Sequence, residues 1–161
     1  MSPVLKCSVY AGLIAGTVDI AAASLINTIN PLLVLLAIAS GLLGNAAFHG
    51  GGGVMVLGLV LQWVMSIIIA GIFTLAAARI PTLARRWVLY GALYGVVVFI
   101  VMNFVVVPLS VAPLKPGWAF SAMSTVTNLA AMLVFGWIVA FVANRFLAAA
   151  GIRTTGAAAI S

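Results

Sequence analysis

Val54-Met-Val-Leu-Gly58-Leu-Val-Leu-Gln62-Trp-Val-Met-Ser66-Ile-Ile-Ile-Ala70-Gly-Ile-Phe-Thr74-Leu-Ala-Ala-Ala78 runs for 25 residues without a charged side chain. A hydrocarbon core of about 30 Å takes roughly 20 helical residues to cross. In lipid a lone segment must satisfy its own backbone N–H and C=O groups, which a helix does and an extended strand does not. The stretch is therefore read as a membrane-spanning helix. Three further runs of the same kind lie on either side of it, at about 8–29, 87–109 and 123–144. The whole chain agrees: of its 161 residues 66% are apolar and 5% charged, with a mean hydropathy of +1.37. A soluble domain has about 25% charged and about 45–50% apolar residues. Eight charges cannot solvate a globule of this length, and disordered chains are poor in apolar residues. Water-soluble and disordered chains are both excluded, and an all-α integral membrane protein remains.

A fifth apolar stretch, 31–48, reads differently. It opens on Pro31 after Asn27 and Asn30, contains Gly41 and Gly44, and runs into His49 and Gly50-Gly51-Gly52-Gly53. Proline at a helix start and glycine at its end mark a short separate helix, and apolar stretches of this size are often interfacial or re-entrant. The distribution of cations tests the choice, because cytoplasmic loops are enriched in Lys and Arg. With four spans, Lys6, Arg79, Arg85, Arg86, Arg145 and Arg153 share one side and Lys115 alone is on the other. A fifth span would move Lys6 across to join Lys115. The expectation is a four-helix transmembrane bundle with both termini cytoplasmic and a short interfacial or re-entrant helix between spans one and two. Residues 1–149 form one membrane domain and 150–161 a short cytoplasmic tail. A cleaved signal peptide is not expected, since Asp19 interrupts the apolar region just before Ala21-Ala22-Ala23. No internal repeat of the kind found in many secondary transporters is visible.

The net charge of +6 and pI near 10.5 would suggest nucleic acid in a soluble protein. Here the cations stand between apolar runs and read as topology signals, so the expected partner is the lipid bilayer and not nucleic acid. The lone acid, Asp19, is different. Gly12, Ala15, Gly16, Asp19, Ala22 and Ala23 form one helical stripe, and Gly12-x-x-x-Gly16 is a helix-packing pattern. Gln62 shares a face with Gly58 and Ser66, Asn103 with Gly95 and Phe99, and Asn128 with Ser121 and Thr125. Gly91-x-x-x-Gly95 repeats the packing pattern in the third span. Asp19, Gln62, Asn103 and Asn128 are thus candidates for a polar interior that binds an ion or ligand. No buried cation neutralises Asp19, so it is either protonated and hydrogen-bonded or ionised beside a bound cation or water. Carboxyls at mid-membrane cost about 2.5–3.5 kcal/mol to insert and are functional hypotheses by default. Interhelical glue is the alternative role.

His49 lies beside the glycine run on the outer side, as an interfacial histidine or a pH-sensitive group. The glycine run lacks the Lys-Ser/Thr of a phosphate loop and reads as a hinge or close-packed turn. Tyr90, Tyr94, Trp87 and Trp118 suit an interfacial aromatic belt. One acid, one histidine and one cysteine (Cys7) cannot build a carboxylate pair, a metal cluster or a triad. No enzyme activity, metal or cofactor is expected.

Ala39-Ser-Gly-Leu-Leu-Gly44, Leu57-Gly-Leu, Tyr90-Gly-Ala-Leu-Tyr-Gly95 and Val107-Pro-Leu-Ser110 resemble a group of small bacterial inner-membrane proteins of unknown function. Gly12-Leu-Ile-Ala-Gly16 and the stretch 61–113 resemble, more loosely, the YagU-type inner-membrane family. Gln62 stands where that family would have a histidine, and its charged tail has no equivalent here. The resemblance implies a multi-pass protein of the bacterial inner membrane and brings no activity or site residues. Two functions stay open. One is a conduit or binding site for a proton, cation or small solute centred on Asp19, working as a homo-oligomer packed through the Gly-x-x-x-Gly faces. The other is a non-catalytic accessory or scaffold subunit of a larger membrane complex.

Overall fold

The computed structural model describes residues 2–113 and 121–151, with the backbone alone for Asn27. Lys115, Trp118, Arg153 and almost all of the tail expected at 150–161 lie outside the described residues. Within them the protein is all-helical, with no strand.

Local chemistry explains where each helix starts and stops. Helix α1 (Pro3–Asn27) begins with Pro3 in its first turn, and the Ser2 hydroxyl accepts from the Leu5 N–H. It ends at Thr28, whose left-handed backbone (φ 53°) turns its N–H back to the Leu25 carbonyl. Helix α2 (Pro31–Leu43) repeats the scheme, with Asn30 Oδ1 accepting from the Leu32 N–H at 2.9 Å. At Gly44 the backbone adopts φ 58° and ψ −145°, a conformation essentially confined to glycine. The axis breaks there, and a 3₁₀ segment follows over Gly44–His49.

Helices α3 (Gly52–Arg79), α4 (Pro81–Arg85) and α5 (Trp87–Val101) come next. A π-helical turn, Met102–Val106, links α5 to the short α6 (Val107–Leu109). Its cause is local: Pro108 has no N–H to give, and its ring crowds the carbonyl four residues back, at Phe104. Helix α7 (Ala122–Ala149) is capped by Ser121, whose hydroxyl accepts from the Ser124 N–H. Helix α1 starts five residues before its expected span and α7 ends five residues beyond its own, because helical pairing continues past the apolar window. At its far end α1 stops two residues short, and α5 gives way to the π-turn before 109.

Five segments are long and apolar enough to cross a membrane: Pro3–Ile26, Pro31–His49, Gly52–Arg79, Trp87–Leu109 and Ala122–Ala149. The second includes the stretch expected to be a short outer helix, so by length and composition alone the count is five where four were expected. Pairing distinguishes it from the others. Cys7 meets Thr74, Gly12 meets Ile67 and Asp19 meets Gln62, so α1 and α3 run antiparallel. The segment between them therefore leaves and rejoins the bundle at the same end. Likewise Val88 meets Trp137 and Gly95 meets Leu133, making α5 and α7 antiparallel. Tyr10 stacks on Phe146, tying α1 to α7. By this pairing Lys6, Arg79, Arg85, Arg86 and Arg145 all come to one end of the bundle.

The helices pack in the order α3, α1, α7, α5, with α2 laid on α3. The buried core is made of small residues near the cation-bearing end: Cys7, Ala11, Ala15, Ala70, Ala77, Ala140 and Ala143, closed by Phe73, Phe135 and Leu147. Large side chains such as Ile14, Val64, Ile68, Ile72, Leu93 and Val97 face outward. This inside-out distribution fits lipid as solvent: burying leucine gains little there, while small residues permit close van der Waals contact between helices.

Candidate functional site

The α1–α3 seam is built by glycine and then turns polar. A methyl on Gly12 would stand 2.5 Å from Ile67 Cα, and one on Gly16 2.6 Å from Ser66 Oγ. Without those methyls the two axes come close enough for short polar side chains one turn further on to meet. Gln62 Nε2 donates to Asp19 Oδ2 at 2.8 Å and lies 3.5 Å from the Gly16 carbonyl oxygen. Beside it Trp63 Nε1 donates to Thr17 Oγ1 at 3.3 Å, and that hydroxyl donates back to the Leu13 carbonyl. Asp19 is half-buried. Lys6, on its own helix, is 13 residues away, about 20 Å along the axis. Arg79 on α3 is 17 residues beyond Gln62, about 25 Å. The carboxyl is thus held by a neutral amide, remote from these cations.

Gln62 also lines a half-open cavity of about 370 Å³ between the end of α1, α2, α3 and the π-turn region. Its walls are mainly apolar (Val34, Ile38, Met65, Met102 and Val106 among them), and Gln62 and Ser110 supply the polar side chains. Met65, Met102 and Val106 are shared with a second apolar cavity of about 290 Å³ between α3 and α5, which reaches as far as Tyr94. Asp19 thus holds the amide N–H₂ of a side chain that also lines the cavity. Every fully buried side-chain N or O among the described residues has a partner.

Of the four residues expected to line one polar interior, the structure joins two. Asn103 Nδ2 donates to the Phe99 carbonyl at 2.9 Å, and Asn128 Nδ2 to the Ser124 carbonyl at 2.8 Å. Both amides bond back onto their own helices, a local option open to short polar side chains. Asn103 does lie in the π-turn whose Met102 and Val106 wall the cavity. His49 is exposed at the end of the 3₁₀ segment, its Nδ1 3.4 Å from the Asn45 carbonyl oxygen. Gly91 and Gly95 are buried against α7. The Gly-x-x-x-Gly pairs were expected to pack copies of the chain together; instead the chain's own α3 and α7 fill both, because a neighbouring span is always at hand. Among the described residues no group of three His, Cys, Asp or Glu could hold a metal.

Three participants escaped the sequence reading. Gly136 forms the other half of the α5–α7 seam, and a methyl on it would come 2.7 Å from Gly95 N; the signal was there in Gly136-x-x-x-Ala140. Tyr94, read as an interfacial anchor, instead donates its hydroxyl to the Ile69 carbonyl at 2.6 Å and packs on Phe73. Its position one turn beyond Tyr90 gave no hint of this, since either face of α5 could have been inward. Thr17 looked like an ordinary span residue and is the acceptor for Trp63.

These features define a class, a multi-helix apolar chain with helices long enough to span a membrane and a lone carboxyl bonded to an amide that lines a cavity. Comparison with known proteins gives no matching family, no matching curated protein and no matching solved structure.

Proposed function

We propose that this is a four-span protein of the bacterial inner membrane, with both ends cytoplasmic and α2 re-entrant, that binds a small lipophilic solute carrying a cationic or proton-donating group. The four-span reading is supported by the antiparallel α1–α3 pairing and the axis break at Gly44. The placing of the ends is supported by the gathering of Lys6, Arg79, Arg85, Arg86 and Arg145 at one end. The binding reading rests on one observation: the chain's sole carboxyl side chain is held at 2.8 Å by an amide that lines a mainly apolar cavity. Binding pockets are mostly apolar with a few placed polar groups, and this one has that composition. Binding is favoured over conduction because Asn103 and Asn128 bond to their own helices and, among the described residues, do not extend the Asp19–Gln62 pair into a file of polar groups.

Phenyltrimethylammonium and its neutral isostere tert-butylbenzene, titrated into the protein in lipid nanodiscs, test the reading. The cation binds the parent protein, and Asp19→Asn weakens it at least tenfold while tert-butylbenzene binding is unchanged. Equal binding of the cation by parent and variant overturns the proposal. An accessory-subunit role instead leaves both probes unbound and recovers a stoichiometric partner from native membranes.

A further inference from the structure

We infer that the outer face of the α4–α5–α7 junction is a binding site for one anionic phospholipid. Charge is unevenly spread over the bundle. Arg79, Arg85, Arg86 and Arg145 lie at one end, and the chain's only acidic side chain, Asp19, lies far from them in α1. Guanidinium groups are never deprotonated in proteins, and among the described residues no acidic side chain lies near these cations to neutralise them. Two of them do more than sit on the surface. Arg85 and Arg86 border a groove of about 430 Å³ whose other walls are Trp87, Val88, Leu89, Ala92 and Trp137.

The groove has the polarity of a phospholipid. Its upper rim is the exposed arginine pair, placed where α5 begins without a side-chain cap. Positive charge and the helix start favour a phosphate there. Below the rim the lining is apolar, with Val88 and Leu89 more than half exposed outward, as an acyl chain would need. The floor is rigid. Trp137 Nε1 donates to the Val88 carbonyl at 2.9 Å, Trp87 stands edge-on to Phe141 at 5.3 Å, and the Arg145 guanidinium covers that ring at 5.2 Å. Ala92 supplies the depth: a larger side chain at that point of the wall would fill the groove. A free anion would satisfy the arginines but leave the apolar part without an occupant. A lipid with a negatively charged headgroup satisfies both, and basic pockets of this kind between spans recognise such headgroups.

The test uses the delipidated full chain in detergent and native mass spectrometry, with phosphatidylglycerol and phosphatidylcholine of identical acyl chains as probes. The parent protein retains phosphatidylglycerol over phosphatidylcholine by roughly 25-fold, about fivefold per arginine. Arg85→Gln with Arg86→Gln brings the ratio close to unity, whereas Lys6→Gln with Arg79→Gln removes the same charge and leaves it largely intact. Equal loss in the two double variants means diffuse attraction and overturns the site. So does protection by inorganic phosphate as strong as that by phosphatidylglycerol. Ala92→Leu keeps every cation, and with them the orientation in the membrane. It reduces retention of both lipids, and unchanged retention in this variant also counts against the site.

Discussion

At the α5–α7 seam Gly91 and Gly95 face Gly136, backbone against backbone, while at the α1–α3 seam Gly12 and Gly16 face Ile67 and Ser66. Both seams are antiparallel and both use glycine to bring two axes together. They differ one helical turn further along. Beyond Gly95 comes Phe99, buried and apolar. Beyond Gly16 comes Asp19, which meets Gln62 at 2.8 Å. The first seam is a fastener, and the second is a fastener that also sets a carboxyl against an amide beside a cavity. Glycine supplies proximity, and the residue placed at the next turn decides whether proximity is only structural.

The largest effects should fall on the α5–α7 seam. A methyl at Gly95 would come 2.8 Å from Leu133 Cα and one at Gly136 2.7 Å from Gly95 N, and backbone atoms have nowhere to go. Gly95→Ala and Gly136→Ala are each expected to cost about 3 kcal/mol, at the upper end for overpacking, in detergent-based unfolding titrations. A loss below about 1 kcal/mol would mean that the seam is looser than its geometry. On the other seam the two glycines should separate. Gly12→Ala meets backbone at Ile67 and should cost about 2 kcal/mol, whereas Gly16→Ala meets the Ser66 hydroxyl, which can rotate, and should cost about 1 kcal/mol. The same unfolding assay reads both, and equal losses would erase the distinction between a rigid and a yielding neighbour.

The polar pair should count for less in stability than in binding. A double-mutant cycle with Asp19→Ala and Gln62→Leu is expected to give a coupling of about 0.6 kcal/mol, the average for such intramembrane bonds. A coupling above about 2 kcal/mol would make Asp19 mainly glue and sharpen the case for a structural role. The smallest effect belongs to the glycine run, where a methyl at Gly53 would touch nothing within 4 Å. Gly53→Ala should raise stability by about 0.5 kcal/mol through reduced freedom of the unfolded chain. Destabilisation there would show that the run has a conformational duty that neither seam shares.

The spans were legible because lipid demands long uninterrupted apolar helices, a property of composition and length. The boundary residues were legible in part: Pro31 and Asn30 announce the start of α2, whereas its break at Gly44 falls inside the helix expected over 31–48. The pairing of Asp19 with Gln62 could be anticipated because each lies on its helix's small-residue face. Asn103 and Asn128 mark the limit of such face-sharing. A place beside glycine or serine positions a side chain, but it does not choose between a partner across the interface and the helix's own carbonyl. Tyr94 failed in the opposite direction, since an aromatic ring near a helix end suits the membrane interface and the inside of a bundle equally well.

By itself the sequence determined that this chain suits lipid, that its helices are long and closely packed, and that its cations other than Lys115 belong together at one end. Those properties follow from transfer free energies and short-range periodicity, which act residue by residue. Only the tertiary structure decided which glycine meets which backbone, that α2 returns to the end it left, and that Gln62 stands between a carboxyl and a cavity. Helix register is a collective outcome of packing along the whole seam, where a rotation of one residue, about 100°, would turn Asp19 away from Gln62 altogether.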